Sequence, residues 1–399
     1  MKRKYLLFVP LSAFCLVLTS CKNQDSVVQP TTVAMYKAVE TTFKGKIDLN
    51  NLQNYSNQVI PAYITKDNTN TNPITDAGAT LGRVLFYDKK LSINNSVSCS
   101  SCHKQAMAFG SNDIVSGGVN GNTLRHTMRL VNARFSDEVR FFWDKRAFSL
   151  EDQTTQPVRN HNEMGFSGQN GDPGIDSLIN KLSSVDYYQE LFTFVYGSPE
   201  ITETKIQDAI AQFVRSIQSF DSKYDEGRAQ VNNDNAPFPN FSQQENQGKN
   251  LFTGRPQFDQ NGVRTGGGAG CDGCHRAPEF DIDPRARNNG VTAVANNPSQ
   301  NDYTNTKAPS LRNIFNPGGN INGLLMHNGA FRTFDQVLNH YNSITIDPQN
   351  NNLDRRLTPA GRGQQLRLTQ QERDALTAFL KTLTGTDVYT NAKWSDPFN

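Results

Sequence analysis

Two stretches of this chain, Cys99-Ser100-Ser101-Cys102-His103 and Cys271-Asp272-Gly273-Cys274-His275, each bring two thiols and an imidazole together within five residues. That spacing suits covalent c-type haem attachment: both thiols add to the haem vinyl groups and the adjacent histidine becomes the proximal iron ligand. The geometry is local, because the cysteines must reach two edges of one ring while the imidazole sits under its centre. One copy alone could be a redox or zinc C-x-x-C followed by a histidine. Two complete copies point to two haems, held by Cys99, Cys102 and His103 and by Cys271, Cys274 and His275.

The elements that must carry these motifs are repeated. Gly82-Arg83-Val84-Leu85-Phe86 precedes the first motif and Gly248-Lys249-Asn250-Leu251-Phe252 the second. Downstream, Asp208-Ala209-Ile210 with Phe213, Val214 and Ile217 matches Asp374-Ala375-Leu376 with Phe379, Leu380 and Leu383. The offsets are 166 (82 to 248), 172 (103 to 275) and 166 (208 to 374), which indicates internal duplication. Both downstream runs repeat apolar residues at helical period. Thr369-x-x-Glu372 and Ser242-x-x-Glu245 read as capping boxes at helix starts. Each half thus reads as helix, haem motif, loops and closing helix. Strand signals are weak, so the predicted class is all-α: two cytochrome c-like helical domains with long loops, at 75–226 and 242–399, joined by an Asn- and Pro-containing linker at 227–241.

With 399 residues there is ample chain for two cores, and 40 basic against 38 acidic residues leave no stripe for nucleic acid. The first 20 residues stand apart: Lys2, Arg3 and Lys4 precede an apolar run from Tyr5 to Val17 that is short for a bilayer span. Leu18-Thr19-Ser20-Cys21 then resembles a lipobox, so residues 1–20 read as a lipoprotein signal peptide and Cys21 as the lipidated mature N-terminus. Residues 21–74 read as a tether with a partly ordered arm around Leu49 to Ile64. Cys15 leaves with the signal, Cys21 carries lipid, and the other four cysteines carry haem. The expected location is therefore periplasm-facing, anchored to a bacterial membrane.

A carrier of electrons would need nothing more, yet Asp208 lies 105 positions beyond His103. The intervening stretch includes Phe142-Trp143-Asp144-Lys145-Arg146, Leu150-Glu151-Asp152-Gln153 and Glu163-Met164. With these, with both haem motifs, and with Pro309-Ser310-Leu311-Arg312-Asn313 and Met326-His327-Asn328-Gly329, the chain resembles the bacterial di-haem cytochrome c peroxidase family, MauG-type members included, from about Thr75 to Gly385. The resemblance implies a peroxidatic haem on His103, an electron-transfer haem on His275, and Trp143 between them. It also implies that Glu163 and Gln153 lie over the peroxidatic haem. Taken without it, Glu163 reads as a solvated loop carboxylate and Gln153 as a helix-surface residue. The chemistry needs such a pair: peroxide must move a proton from its inner to its outer oxygen, which a positioned carboxylate does, while an amide orients the substrate.

Two departures from the family pattern stand out. Many of its peroxidases carry a histidine some fifteen residues past the first motif, but no histidine lies between Lys104 and Arg125, where Ser116-Gly117-Gly118 stands instead. The position fourteen residues after His327, a methionine ligand in those enzymes, is Tyr341. Phe334, Val337, Leu338 and Tyr341 share one helical face and His340 points away from it, so the phenol either ligates the second iron or bonds to backbone. Both departures match the MauG-type pattern. His126 replaces an asparagine that the family often has near a calcium, which leaves calcium open. His126, His161 and His340 read as structural or exposed.

The expected activity is reduction of hydrogen peroxide to water with electrons from a small periplasmic donor, a cytochrome c or a cupredoxin. The alternatives are a MauG-type oxidase that modifies a partner protein and, in a different class, a non-catalytic di-haem electron carrier.

Overall fold

The duplication is visible as two helix pairs with the same crossing. In the computed structural model, which describes residues 36–399, the helix Asp76–Tyr87 crosses Glu203–Ser216, and Gln243–Thr253 crosses Gln370–Lys381. A Cβ on Gly82 would lie 1.9 Å from the Ala209 carbonyl and 2.8 Å from Phe213 Cβ; one on Gly248 would lie 1.9 Å from the Ala375 carbonyl and 2.8 Å from Phe379 Cβ. Only glycine lets the backbones approach this closely. Beside each crossing two rings meet in the same way: Phe86 and Phe213 have centroids 5.2 Å apart at 57°, Phe252 and Phe379 5.3 Å apart at 57°. The expected capping boxes at Ser242–Glu245 and Thr369–Glu372 are both formed.

Each crossing seeds its own apolar cluster. The first gathers Leu85, Phe86, Phe109, Ile210 and Phe213, and the second Tyr224, Phe238, Phe252, Phe280 and Phe379. The basic residue of each repeat is buried and ties down a segment outside the repeat. Arg83 donates to the Ser395 carbonyl at 2.6 Å, while Lys249 donates to the carbonyls of Ala236, at 2.8 Å, and Asp234. The stretch 227–241 is thereby packed, with Phe238 and Phe241 in the second cluster. The C-terminus crosses back: Val388 and Trp394 are buried in the first cluster, and Tyr55 donates to the Lys393 carbonyl at 2.5 Å. Ordered packing at the N-terminal side begins before the expected arm, with Val39 and Phe43 of the helix Lys37–Phe43 in the first cluster. Two backbone N–H groups of that helix, on Ala38 and Val39, donate to the Glu190 carboxylate.

The core is helical as expected, but the chain is not purely α. Three antiparallel strand pairs occur, Pro256–Phe258 with Arg264–Gly267, His275–Arg276 with Asp281–Ile282, and Ala293–Val294 with Asn297–Asn301. These strands are two to five residues long, and three of the six contain Gly, Asn or Pro, so they carry no apolar alternation that a sequence reading could detect. Among the described residues no helix is long and apolar enough to cross a membrane. The expected signal peptide and lipidated Cys21 lie outside the described residues.

Candidate functional site

The first motif forms a single helical turn, Cys99–Cys102, with a reciprocal Ser98–Ser101 capping box and His103 as its C-cap. Cys102 and His103 line a cavity of about 490 Å³ and, with Cys99, an adjoining one of about 80 Å³. Nδ1 of His103 lies 3.2 Å from the Phe109 carbonyl. A carbonyl only accepts, so Nδ1 carries the proton and Nε2 keeps its lone pair. Burial pushes this imidazole down to about 4, so it is neutral at pH 7. A neutral ring oriented by a backbone carbonyl is what an iron ligand requires.

The second motif is a 3₁₀ turn, Cys271–Gly273, and Cys274 and His275 line a separate cavity of about 140 Å³. His275 is likewise pushed down to about 4 by burial, and its Nδ1 is enclosed without a hydrogen bond. The four cysteines of the two motifs are unpaired thiols, and burial pushes Cys99 and Cys271 up to about 12. The first cavity has Cys102 and His103 at its wall and Cys99 on the adjoining pocket, the second has Cys274 and His275 at its wall with Cys271 packed on the second cluster, and this pairing of thiols with a neutral imidazole fits a covalently held haem in each half.

Above the first motif the structure gathers what the sequence leaves scattered. Glu163 and Gln153 line both the larger cavity and its adjoining pocket. Burial raises the Glu163 pKa and the Arg146 guanidinium opposes that. The stretch lacking a histidine folds as a narrow hairpin against Glu163: Val119 N–H donates to the Glu163 carbonyl at 3.0 Å. A Cβ on Gly118 would lie 2.0 Å from the Asn162 carbonyl and 2.6 Å from Glu163 Cα, so no side chain fits there.

Trp143 lines the cavities of both halves. Its Nε1 donates to the His126 carbonyl at 2.8 Å, and its own carbonyl accepts from the N–H groups of Thr306 and Lys307, both at 2.9 Å. The indole is therefore fixed from both sides, with its ring centroid 6.3 Å from that of His327.

Tyr341 lies on the helix Phe334–Asn342, whose expected apolar face is realised: Phe334 and Leu338 are buried and Val337 and Tyr341 pack on the second cluster. Tyr341 lines the cavity that holds His275. Its phenolic oxygen is 3.0 Å from Asn289 Nδ2, and the Asn289 carbonyl lies 2.8 Å from His340 Nε2. Burial raises the phenol's pKa and the Asn289 amide lowers it. Sequence reading missed Asn289: it sits in a run of asparagines with no motif, and only the fold brings it to Tyr341. His126 Nδ1 is bonded to the Asp113 carbonyl at 2.8 Å and His161 Nδ1 to the Asp172 carboxylate at 2.7 Å. Among the described residues no group of three His, Cys, Asp or Glu side chains could hold a metal ion.

Residues 76–233 match the family model of the di-haem cytochrome c peroxidases. The chain is 28% identical over 324 residues to the methylamine utilization protein MauG of Methylophilus methylotrophus, covering 79% of this chain and 84% of that protein. It is 29% identical over 330 residues to the cytochrome c551 peroxidase of Nitrosomonas europaea, covering 77% and 80%. Among solved structures, a MauG-like protein associated with microbial copper homeostasis superposes with a TM-score of 0.65 at 27% identity, covering 86% of this chain and 99% of that one. The match to the di-haem cytochrome c peroxidase family thus spans residues 76–233 and includes the first Cys-x-x-Cys-His motif. The relatives that the chain matches at this level are named as MauG and cytochrome c peroxidases, which are oxidoreductases.

Proposed function

We propose that this protein reduces hydrogen peroxide to water, with electrons from a small periplasmic cytochrome c or cupredoxin. Residues 75–226 form the peroxidatic half, with haem held by Cys99, Cys102 and His103. Residues 242–399 form the electron-transfer half, with haem held by Cys271, Cys274 and His275. Removal of residues 1–20 and lipidation of Cys21 would tether the enzyme at a membrane facing the periplasm. When bound, the haem irons supply the peroxide-binding centre and the electron relay. The observation that carries the reading is one cavity that joins His103, Gln153, Glu163 and Trp143, with Trp143 shared by the second cavity.

Glu163 acts as the proton shuttle. As the carboxylate it takes the proton from the inner peroxide oxygen and, as the acid, returns it to the outer one, so that water leaves. Its burial suits this, since a raised pKa brings the acid and base forms closer in energy near neutral pH. Gln153 orients peroxide with its amide, and Trp143 conducts electrons between the halves. A non-catalytic carrier has no use for a half-buried carboxylate and amide in the cavity of its iron ligand.

A second reading, a MauG-type oxidase that modifies a partner protein, is favoured by two observations. Tyr341 and His275 line one cavity, and the hairpin past the first motif has no histidine and no space for a side chain at Gly118. A phenolate ligand stabilises ferric iron where a thioether stabilises ferrous iron.

The deciding experiment is the absorption and electron paramagnetic resonance spectrum of the ferric protein before and after one equivalent of hydrogen peroxide. Ferric protein inert until half-reduced, but turning over with reduced cytochrome c, is the result expected of an ordinary peroxidase. Immediate reaction, together with loss of the low-spin signal in Tyr341→Phe, selects the MauG-type reading. Absence of any peroxide reaction in either redox state sinks both.

A further inference from the structure

Two cationic side chains, Arg129 and Lys307, line both the cavity of His103 and the cavity of His275. Their surroundings differ. The Lys307 ammonium donates to the carbonyls of Arg140, at 2.8 Å, and Glu138, at 3.3 Å, and lies 4.9 Å from the Phe141 ring centroid, so most of its bonding capacity is used. Arg129 makes one hydrogen bond, from Nη2 to the Asn322 carbonyl at 2.5 Å. Its Nε is shielded from solvent and has no partner. Among the described residues no carboxylate pairs with it; the neighbour that most affects its charge is the phenol of Tyr389.

A guanidinium is permanently charged and offers five N–H donors in a planar fork matched to carboxylates. Enclosing one with most donors idle is unfavourable unless an anion completes the site. The two cysteines of each motif fix the vinyl edge of a haem and the histidine fixes its centre. The edge left over carries the two propionate carboxylates, which need cationic partners where water is scarce. Arg129 meets the requirement, because it stands at the seam between the two cavities with its donors free.

We propose that Arg129 is the shared counter-ion of the haem propionates, binding the carboxylate edge of both haems and raising both reduction potentials together. The inference rests on the two-haem reading. Reduction adds an electron to each haem, and a fixed cation at the carboxylate edge favours the reduced form. No proton or bond is exchanged; the effect is electrostatic.

The test is a spectroelectrochemical titration of the di-haem protein and of Arg129→Gln and Arg129→Lys, after an alkaline pyridine spectrum has counted the haems. Arg129→Gln keeps a donor for Asn322 and loses the charge. At fixed poise it should shift the ferric-to-ferrous ratio of both haems about tenfold toward ferric, or about 59 mV for a one-electron couple. Arg129→Lys should recover most of the shift. Unchanged potentials in Arg129→Gln, an equal fall in Arg129→Lys, or a shift at one haem alone would overturn the shared counter-ion role. Should neither variant accumulate, the propionate bending modes in the resonance Raman spectrum of the wild-type protein decide. Hydrogen-bonded propionates on both haems support the proposal, and free ones reject it. A wild-type protein without two haems would overturn the haem reading and this inference together; with two haems counted, only this inference is at stake.

Discussion

The cavities of His103 and His275 stand on the same support. A glycine-mediated helix crossing lies beneath each, with a pair of phenylalanine rings at 57°, and a one-turn motif ends each in a neutral imidazole. What stands over them differs. The first is roomy and holds a carboxylate and an amide; the second is smaller and holds a phenol bonded to an asparagine. Duplication has kept the packing, where a single atom's change is felt, and released the loops, where it is tolerated. Under the proposed function, one scaffold would serve one half for proton chemistry and the other for electron delivery.

The sharpest way to break this division is Glu163→Gln. The peroxide reaction should slow by about 10² to 10⁴-fold with both haem spectra intact. Stopped-flow rates equal to wild type would return Glu163 to an incidental place in the cavity wall. Trp143→Phe should divide the same functions from the other side: the first peroxide step keeps its rate while steady-state turnover with the donor falls. Wild-type turnover would mean that electrons pass elsewhere. The shared support is probed by Gly82→Ala and Gly248→Ala. Each pushes a methyl group into a carbonyl, and each should destabilise its half by about 1–3 kcal/mol in denaturant unfolding. Markedly unequal losses would show that the two crossings are no longer equivalent.

The smallest effect concerns pH. Glu163 must be ionised to accept a proton, and burial holds its pKa above the ordinary carboxylate value. The rate should therefore be lost as pH falls through that raised value, at higher pH than for a solvent-exposed carboxylate. The Arg146 guanidinium opposes the shift, so Arg146→Leu should move the acid limb of the pH–rate profile higher still. A limb that stays in place, or moves down, would separate Arg146 from the site.

What could be read directly from the chain was local or periodic. The two Cys-x-x-Cys-His turns, the capping boxes at Ser242 and Thr369 and the apolar face of Tyr341 all depend on residues within a few positions of one another. Glu163 and Gln153 were legible only through resemblance, since nothing in their own neighbourhood distinguishes a cavity carboxylate from a solvated one. Asn289 and Arg129 had no signal at all, because their partners lie 52 and 193 residues away. The short strands escaped for a related reason. They are two to five residues long, too short to show a pattern, and three of the six contain Gly, Asn or Pro.

The return of residues 388–395 to the first cluster means that this cluster draws on residues from both sides of the second half. Val388 and Trp394 close the first cluster, and the Lys393 and Ser395 carbonyls receive Tyr55 and Arg83 from the other end of the chain. A chain threaded through a membrane from its N-terminus would deliver the Cys99 motif early, while the wall behind it would still lack its last two apolar residues. Contacts spanning more than 300 residues form slowly, since the loop between them must be closed first. If the chain emerges from its N-terminal side, the first motif would be accessible to a haem-attaching enzyme before residues 388–395 pack on its cluster.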